Sequence, residues 1–530
     1  MRAPIVAIFF LLAVGCGNGT KHADAGVAGN SVDAGAGHGG AGVGSGGRGG
    51  TAGSGGSDSA GSSSAGTQGA GASGAATGGA GAQAAGVGAA GSGGHNAAAA
   101  GGNSGSAGSA GADTSGAGSA GMSGTGSPID MDAGPKPATC VGQTPYASAF
   151  VSDPKLCVYV YAQSLGSPRQ MAFAPNGDLF VNNGQVTVLW DADGNGTSDD
   201  SERATFATAS GIAHGLAFSR DAAFVYASSP TTVYRWPYTS GKRSAAGAGE
   251  VVIANIPSGG HNTRTLAFDS QGRLIVSIGS ASNVDSTQEQ WDTRALVRRF
   301  SLPATIPSGG IDFATGAVIA SGMRNEVGLY VDAQDRIWGV ENGRDDLSDT
   351  DLGGDIHMDN PGEEINLIDG QGTTFYGYPF CFSEFALAAG SGAGTQWADE
   401  SIAMASRKTD VWCRAPANVR PPVFSMQAHW APLGIVQYTG SALPFAGDFI
   451  VAAHGSWDRM PATGRLLARA QVTNGTITAV VPFIGAKSSA GQLEQGTWDA
   501  RPVDVRQGAD EALYFSDDSG GRIFKIGYNN

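Results

Sequence analysis

The segment Gly259-Gly260-His261-Asn262 stands ahead of two short apolar runs split by a polar turn, and Gly322-Met323-Arg324-Asn325 stands ahead of another such pair. An imidazole that is neutral near pH 7 can take a proton from a hydroxyl, and a guanidinium can hold an oxygen that gains negative charge. A histidine ahead of a strand more often only bonds backbone. The pairing gains weight if the fold brings both segments to one place. A second stretch with chemical potential is DADGNGTSDDSE, which sets Asp191, Asp193, Asn195, Thr197, Asp199 and Glu202 at loop positions 1, 3, 5, 7, 9 and 12 with Gly196 at position 6. That is the calcium-loop pattern of EF-hands. The preceding QVTVLW reads as a strand, so the expectation is a structural calcium loop grafted onto a β-unit; a solvated Asp/Gly turn is the alternative. His214, His357, His429 and His454 show no HExxH-like spacing, which argues against a zinc centre, and the folded region has no GxSxG nucleophile elbow.

The elements that would position these residues recur from Pro168 onward. A loop enters a short apolar strand, a polar turn with Gly or Asp follows, and a second apolar strand closes the unit. Six copies are visible: PRQMAFAPNGDLFVNN, GIAHGLAFSRDAAFVYASS, HNTRTLAFDSQGRLIVSIG, MRNEVGLYVDAQDRIWGVENG, APLGIVQYTGSALPFAGDFIVAAHG and RPVDVRQGADEALYFSDDSGGRIFKI. Short strands with turns in six repeats predict an all-β, six-bladed β-propeller. A pair of β-sandwiches explains the strands but not the repeat. In a propeller the loops entering the innermost strands share one mouth of the channel. Matching Leu266 with Leu329 puts His261 opposite Arg324 and Asn262 opposite Asn325. The fifth repeat adds Trp430 and the sixth Arg501, while the first two contribute Gly166 and Gly211. Polar, cationic and aromatic groups around a glycine-bordered hollow suit a small-molecule site.

The rest of the chain sets the context. Of its 530 residues, 86 are glycine, concentrated in a Gly/Ala/Ser-rich tract over 17–136. Such a tract buries too little apolar surface to offset the entropy of ordering it and reads as a disordered linker ahead of a folded domain at 137–530. Residues 1–16, MRAPIVAIFFLLAVGC, read as an export signal too short to span a membrane. Ala13-Val14-Gly15-Cys16 resembles a bacterial lipobox, which implies a lipidated Cys16 and an envelope lipoprotein in the periplasm or at the cell surface. The other four cysteines suit two disulfides in an exported protein; Cys140 with Cys157 and Cys381 with Cys413 is the expected choice among three connectivities. A net charge of −15 argues against a nucleic-acid partner.

GHN at Gly260–Asn262, GMRNEVGL at Gly322–Leu329, ENGRDDL at Glu341–Leu347, EEINLI with FYGYP, HWAPLG, AAHGSWDR and RPVDV follow one another in an order that resembles the glucose/sorbosone dehydrogenase family over most of residues 160–530. Members are six-bladed propellers that use pyrroloquinoline quinone (PQQ). The resemblance implies a dehydrogenase of an aldose or sugar-derived aldehyde, with electrons passing on to a quinone or haem acceptor. It implies His261 as general base and Arg324, with Asn325, at the quinone edge. Asn262, Trp430, Arg459 and Arg501 are further cofactor contacts, with Trp430 stacking on the ring system and the arginines facing its carboxylates. The carbonyls of Gly343 and Arg344 are implied as ligands of a cofactor-side calcium. Where the glucose-oxidising branch has an acid after the third-repeat strand, this chain has Ser280, which is closer to the sorbosone branch and leaves Asp285 as the candidate to orient His261. A propeller without redox chemistry that binds carbohydrate or protein at a surface is the alternative.

Overall fold

Each of the six repeats folds as the two innermost strands of one antiparallel sheet in the computed structural model, which describes residues 140–285, 293–368 and 374–529. Cys16, the export signal and the 17–136 tract lie outside these residues. The inner pairs are Met171–Phe173 with Leu179–Asn182, Leu216–Phe218 with Phe224–Ser228, and Leu266–Phe268 with Leu274–Ile278. They continue with Glu326–Val331 and Ile337–Glu341, Pro432–Gln437 and Phe449–Ala453, and Pro502–Gln507 and Leu513–Asp517. Every intervening turn places one residue in the left-handed region: Gly177, Ala222, Gly272, Asp335, Gly447 and Glu511, with φ between 53° and 94°. The turn chemistry that marked the repeats in the sequence is therefore the hairpin of each blade.

At least two further strands complete each sheet, giving a six-bladed β-propeller. The last blade borrows its outer strand from the start of the domain: Leu156–Ala162 pairs with Arg522–Tyr528, with Cys157 opposite Gly527 and Tyr159 opposite Lys525. Just before it, Ala149–Val151 adds to the fifth blade, so the segment from 149 to 162 latches two blades. Cys140 and Cys157 are joined in a disulfide, as are Cys381 and Cys413 in the excursion from the fourth blade.

The core is divided rather than central. Each blade–blade interface holds its own apolar cluster, for example Phe180, Phe206 and Trp236 between the first and second blades, and Trp498, Phe515 and Phe524 between the fifth and sixth. Truncating a large side chain in such a wedge typically removes about 3–5 kcal/mol. Because the inner strands of a blade run antiparallel, the loop entering the first strand and the loop leaving the second lie at the same end of the channel. That end is the mouth.

Candidate active site

The third and fourth blades are joined at the mouth through Ser280. His261 N donates to Ser280 O at 3.0 Å, and Ser280 N donates to Arg324 O at 2.7 Å. Gly279 lies where these loops meet: a Cβ there would be 2.5 Å from Asn325 Oδ1 and 2.7 Å from the His261 Cβ, so no larger residue fits. The structure thus brings His261, Arg324 and Asn325 together, as the alignment of repeats predicts.

His261 Nδ1 lies 2.9 Å from Ser280 Oγ and 3.1 Å from Ser280 O. The hydroxyl donates its one proton to Ser282 O at 2.7 Å, so it accepts from the imidazole. This assigns the proton to Nδ1 and leaves Nε2 with a lone pair. Burial, reinforced by the neighbouring Arg324 cation, pushes the imidazole down to about 3, which keeps it neutral over the physiological range. Asp285, the expected orienting acid, instead accepts from Ala281 N and Ser282 N, both at 2.9 Å, and from Ser282 Oγ. Its carboxylate shapes the loop, and the group on the imidazole is Ser280. Sequence reading also passed over Arg264. Fully buried, it donates to the carbonyls of Pro230, Pro257, His261 and Thr263 and so fixes the loop that carries the histidine.

The Arg324 guanidinium is held by Asn283 O and Oδ1, Asn342 O, Gly343 O and Asp345 Oδ2. Gly343 N donates to Glu363 at 2.9 Å, and burial pushes that carboxyl up to about 7. Arg344 turns its side chain to Asp399, at 2.7 and 2.9 Å, and anchors the disulfide-bearing excursion. Beside Arg324, ligand atoms of Asp345, His429 and Asp458 lie within 4.8 Å of one another, a cluster the sequence reading did not assemble.

The remaining expected contacts separate. Arg501 stays at the mouth, donating to His454 O at 3.2 Å. Arg459 ties its loop to Met358 O and Asp359, both at 2.9 Å. Asn262 is exposed, and its Oδ1 accepts from Gly259 N at 3.1 Å, so it shapes the turn ahead of the blade. Trp430 is buried, 3% exposed, in the apolar wedge between the fourth and fifth blades, with Nε1 donating to Gln495 at 2.9 Å, so little of its ring is open for a cofactor to stack on.

In the first blade, Asp191, Asp193 and Glu202 converge with ligand atoms within 4.8 Å. Gly196, at φ 86°, lets the chain turn so that its N–H reaches Asp191 Oδ2 at 2.8 Å. Asn195 Oδ1 accepts from Thr197 N, and Asp199 accepts from Ser201 N at 2.7 Å, so these side chains brace the loop from within.

Comparisons with known proteins agree with this architecture. A pyrroloquinoline quinone-dependent sugar dehydrogenase of Hypocrea jecorina (strain QM6a) is 31% identical over 385 residues, covering 68% of this chain and 85% of that protein. A pyrroloquinoline quinone-dependent pyranose dehydrogenase of Coprinopsis cinerea is 27% identical over 389 residues, covering 68% of this chain and 52% of that protein. The calcium structure of the Trichoderma reesei enzyme of carbohydrate-active family AA12 superposes with a TM-score of 0.63 at 27% identity, covering 74% of this chain and 100% of that one. The holo PQQ domain of the Coprinopsis cinerea pyranose dehydrogenase shares the fold, with a TM-score of 0.64 at 24% identity over 74% of this chain and 100% of that one. Matched by its TrAA12-like description over residues 151–529, the chain belongs to the TrAA12-like family.

Proposed function

We propose that this protein is a PQQ-dependent dehydrogenase that oxidises a C–OH group of an aldose or of a hydrated sugar-derived aldehyde. The observation that carries the reading is the His261 imidazole, held at Nδ1 by Ser280 and left with its Nε2 lone pair beside Arg324. The hydroxyl proton of the substrate passes to His261 Nε2 as the carbonyl forms. PQQ, when bound, supplies the two-electron acceptor for the hydride that leaves the same carbon. Its three carboxylates call for cations: Arg501 stays at the mouth, whereas Arg324 and Arg459, paired with Asp345 and Asp359, would exchange those partners to serve the cofactor. Gly279, with no side chain, lets the two loops that carry His261 and Asn325 close on one another.

A cofactor-side calcium also fits the chemistry of the donors. Gly343 O already serves a guanidinium, but Asp345 and Asp458 beside it add the carboxylate oxygens that a hard cation prefers. The Asp191–Glu202 loop supports a second, structural calcium remote from the chemistry. The lipobox-like Cys16 and the Gly/Ala/Ser tract support a tether to a bacterial envelope membrane, which metabolic labelling with palmitate and a Cys16→Ser variant would test. The reading as a non-catalytic carbohydrate- or protein-binding propeller draws on the missing acid at Ser280, and the serine's hydrogen bond to His261 weakens it.

The test is reconstitution of the full chain with PQQ and calcium, followed by dye reduction with a panel of aldoses and aldehydes. A bound-quinone absorbance band and sugar-dependent turnover are expected. The absence of both band and turnover would overturn the enzyme reading.

A further inference from the structure

The mouth carries a second histidine that the proton-transfer scheme does not use. His454 follows the second strand of the fifth blade, and its Nε2 lies 2.9 Å from Asp518 Oδ1 and 3.1 Å from Oδ2. Asp518 follows the second strand of the sixth blade and also pairs with Arg169 Nη1, which enters the first blade. Arg169 Nε donates to His214 Nδ1 at 3.3 Å, and His214 Nε2 lies 3.1 Å from Thr265 Oγ1. Thr265 in turn donates to Val327 O. One hydrogen-bonded chain therefore runs around the channel from the fifth blade through the sixth, first, second and third to the fourth.

The direction of its donors decides what it can offer a ligand. The only hydroxyl proton of Thr265 goes to Val327 O, so His214 carries its proton on Nε2 and accepts from Arg169 on Nδ1. At the other end His454 donates its Nε2–H to the Asp518 carboxylate. Among the described residues, neither His454 Nδ1 nor Arg169 Nη2 has a hydrogen-bond partner within the chain, and each Asp518 oxygen keeps lone-pair capacity. The side chains of Arg169, His454 and Asp518 are 16–17% exposed, so they line the mouth without lying on the outer surface.

Charge separates this set from the cofactor contacts. Arg169 and Asp518 neutralise one another, and burial holds the His454 imidazole below its ordinary value. The set offers a donor at Arg169 Nη2 and acceptors at His454 Nδ1 and Asp518, with no net charge. Each hydroxyl of a sugar both donates and accepts, so adjacent hydroxyls complement such a set, whereas an anionic ligand gains nothing from it.

We propose that Arg169, His454 and Asp518 form the subsite that grips adjacent hydroxyls of an uncharged pyranose at the mouth. This rests on the dehydrogenase reading for its link to catalysis. The experiment uses the full chain with PQQ and calcium, and the variants Asp518→Asn, His454→Ala and Arg169→Lys. Each is expected to raise KM for aldopyranoses by roughly tenfold or more, with kcat changed by less than about threefold and the bound-quinone band retained. Wild type should also discriminate against deoxy analogues lacking one ring hydroxyl, and the variant that removes the matching partner should lose that discrimination. Unchanged KM and unchanged discrimination, or a loss of turnover that tracks loss of the quinone band, would overturn the subsite; Arg169→Lys keeps the test available if Asp518→Asn does not fold. Absence of PQQ-dependent turnover in the wild type counts against the dehydrogenase reading alone. Calorimetric titration of the cofactor-free chain with an aldopyranose then decides the subsite, with binding that is lost in Asp518→Asn supporting it and no binding to wild type overturning it.

Discussion

His261 and His454 face the same channel from the third and fifth blades, and they differ in what stands behind the ring. Behind His261 is a neutral acceptor, Ser280, with the Arg324 cation nearby; behind His454 is the Asp518 carboxylate. A carboxylate stabilises an imidazolium, whereas a serine fixes the tautomer without doing so. His261 is therefore a base whose lone pair is available at any pH well above 3. His454 is bound to its carboxylate, which suits it to hold a ligand in place. The mouth thus keeps positioning and proton acceptance on different blades.

Removing His261 tests this division most severely. His261→Ala should lower kcat by roughly 10²–10⁴-fold with the quinone band intact, whereas His454→Ala should act mainly on KM. Equal kcat losses in both variants would erase the distinction. A pH profile sharpens it further. With its value near 3, His261 should produce no acid limb in kcat/KM between about pH 5 and 7. Ser280→Asp would give His261 the kind of partner His454 has, and the limb should then rise by about a pH unit or more. Ser280→Ala, which leaves the backbone acceptor Ser280 O at 3.1 Å, should reduce kcat only several-fold. Stability carries the same sign. Between the folded value near 3 and the ordinary value of 6.5, the unfolded chain binds the proton and the folded chain does not, so the buried His261 makes the fold less stable as pH falls through that window.

The six inner hairpins were legible in the sequence because each is local: an apolar pair of strands, a turn with one left-handed residue, and nothing distant required. The outer edges were not, since Ala149–Val151, Leu156–Ala162, Ile311–Asp312 and Thr374–Phe375 join sheets made by remote segments. The site divided in the same way. His261 and Arg324 were found by aligning the loops that enter first strands. Ser280, Asp345, His454 and Asp518 follow second strands, and aligning those exits of the repeats would have placed them at the same mouth. The burial of Trp430 was not legible, because a residue just ahead of a strand can face either the channel or the neighbouring blade, and spacing does not distinguish the two. Ser280 had an amino-acid type that looked like a gap, and only its distances show it filling the place of an acid.

The smallest expected effect lies farthest from the chemistry. The Asp191–Glu202 loop and the Asp345–His429–Asp458 cluster both gather ligand atoms within 4.8 Å, but one braces an edge of the first blade and the other adjoins Arg324. Calcium at the first should change stability and not turnover. Because an ion that binds only the folded state stabilises by RT ln(1 + [L]/Kd), about 2.7 kcal/mol at a hundredfold excess over Kd, saturating calcium should raise Tm by a few degrees in a domain of this size. Asp191→Ala removes the carboxylate that accepts from both Asn195 N and Gly196 N, and it should abolish that calcium-dependent rise while leaving kcat unchanged. Asp345→Asn should do the reverse, weakening turnover at limiting calcium with little change in the rise of Tm. If Asp191→Ala melts at the same temperature as the wild type with and without calcium, the loop is a solvated turn despite its complete ligand pattern.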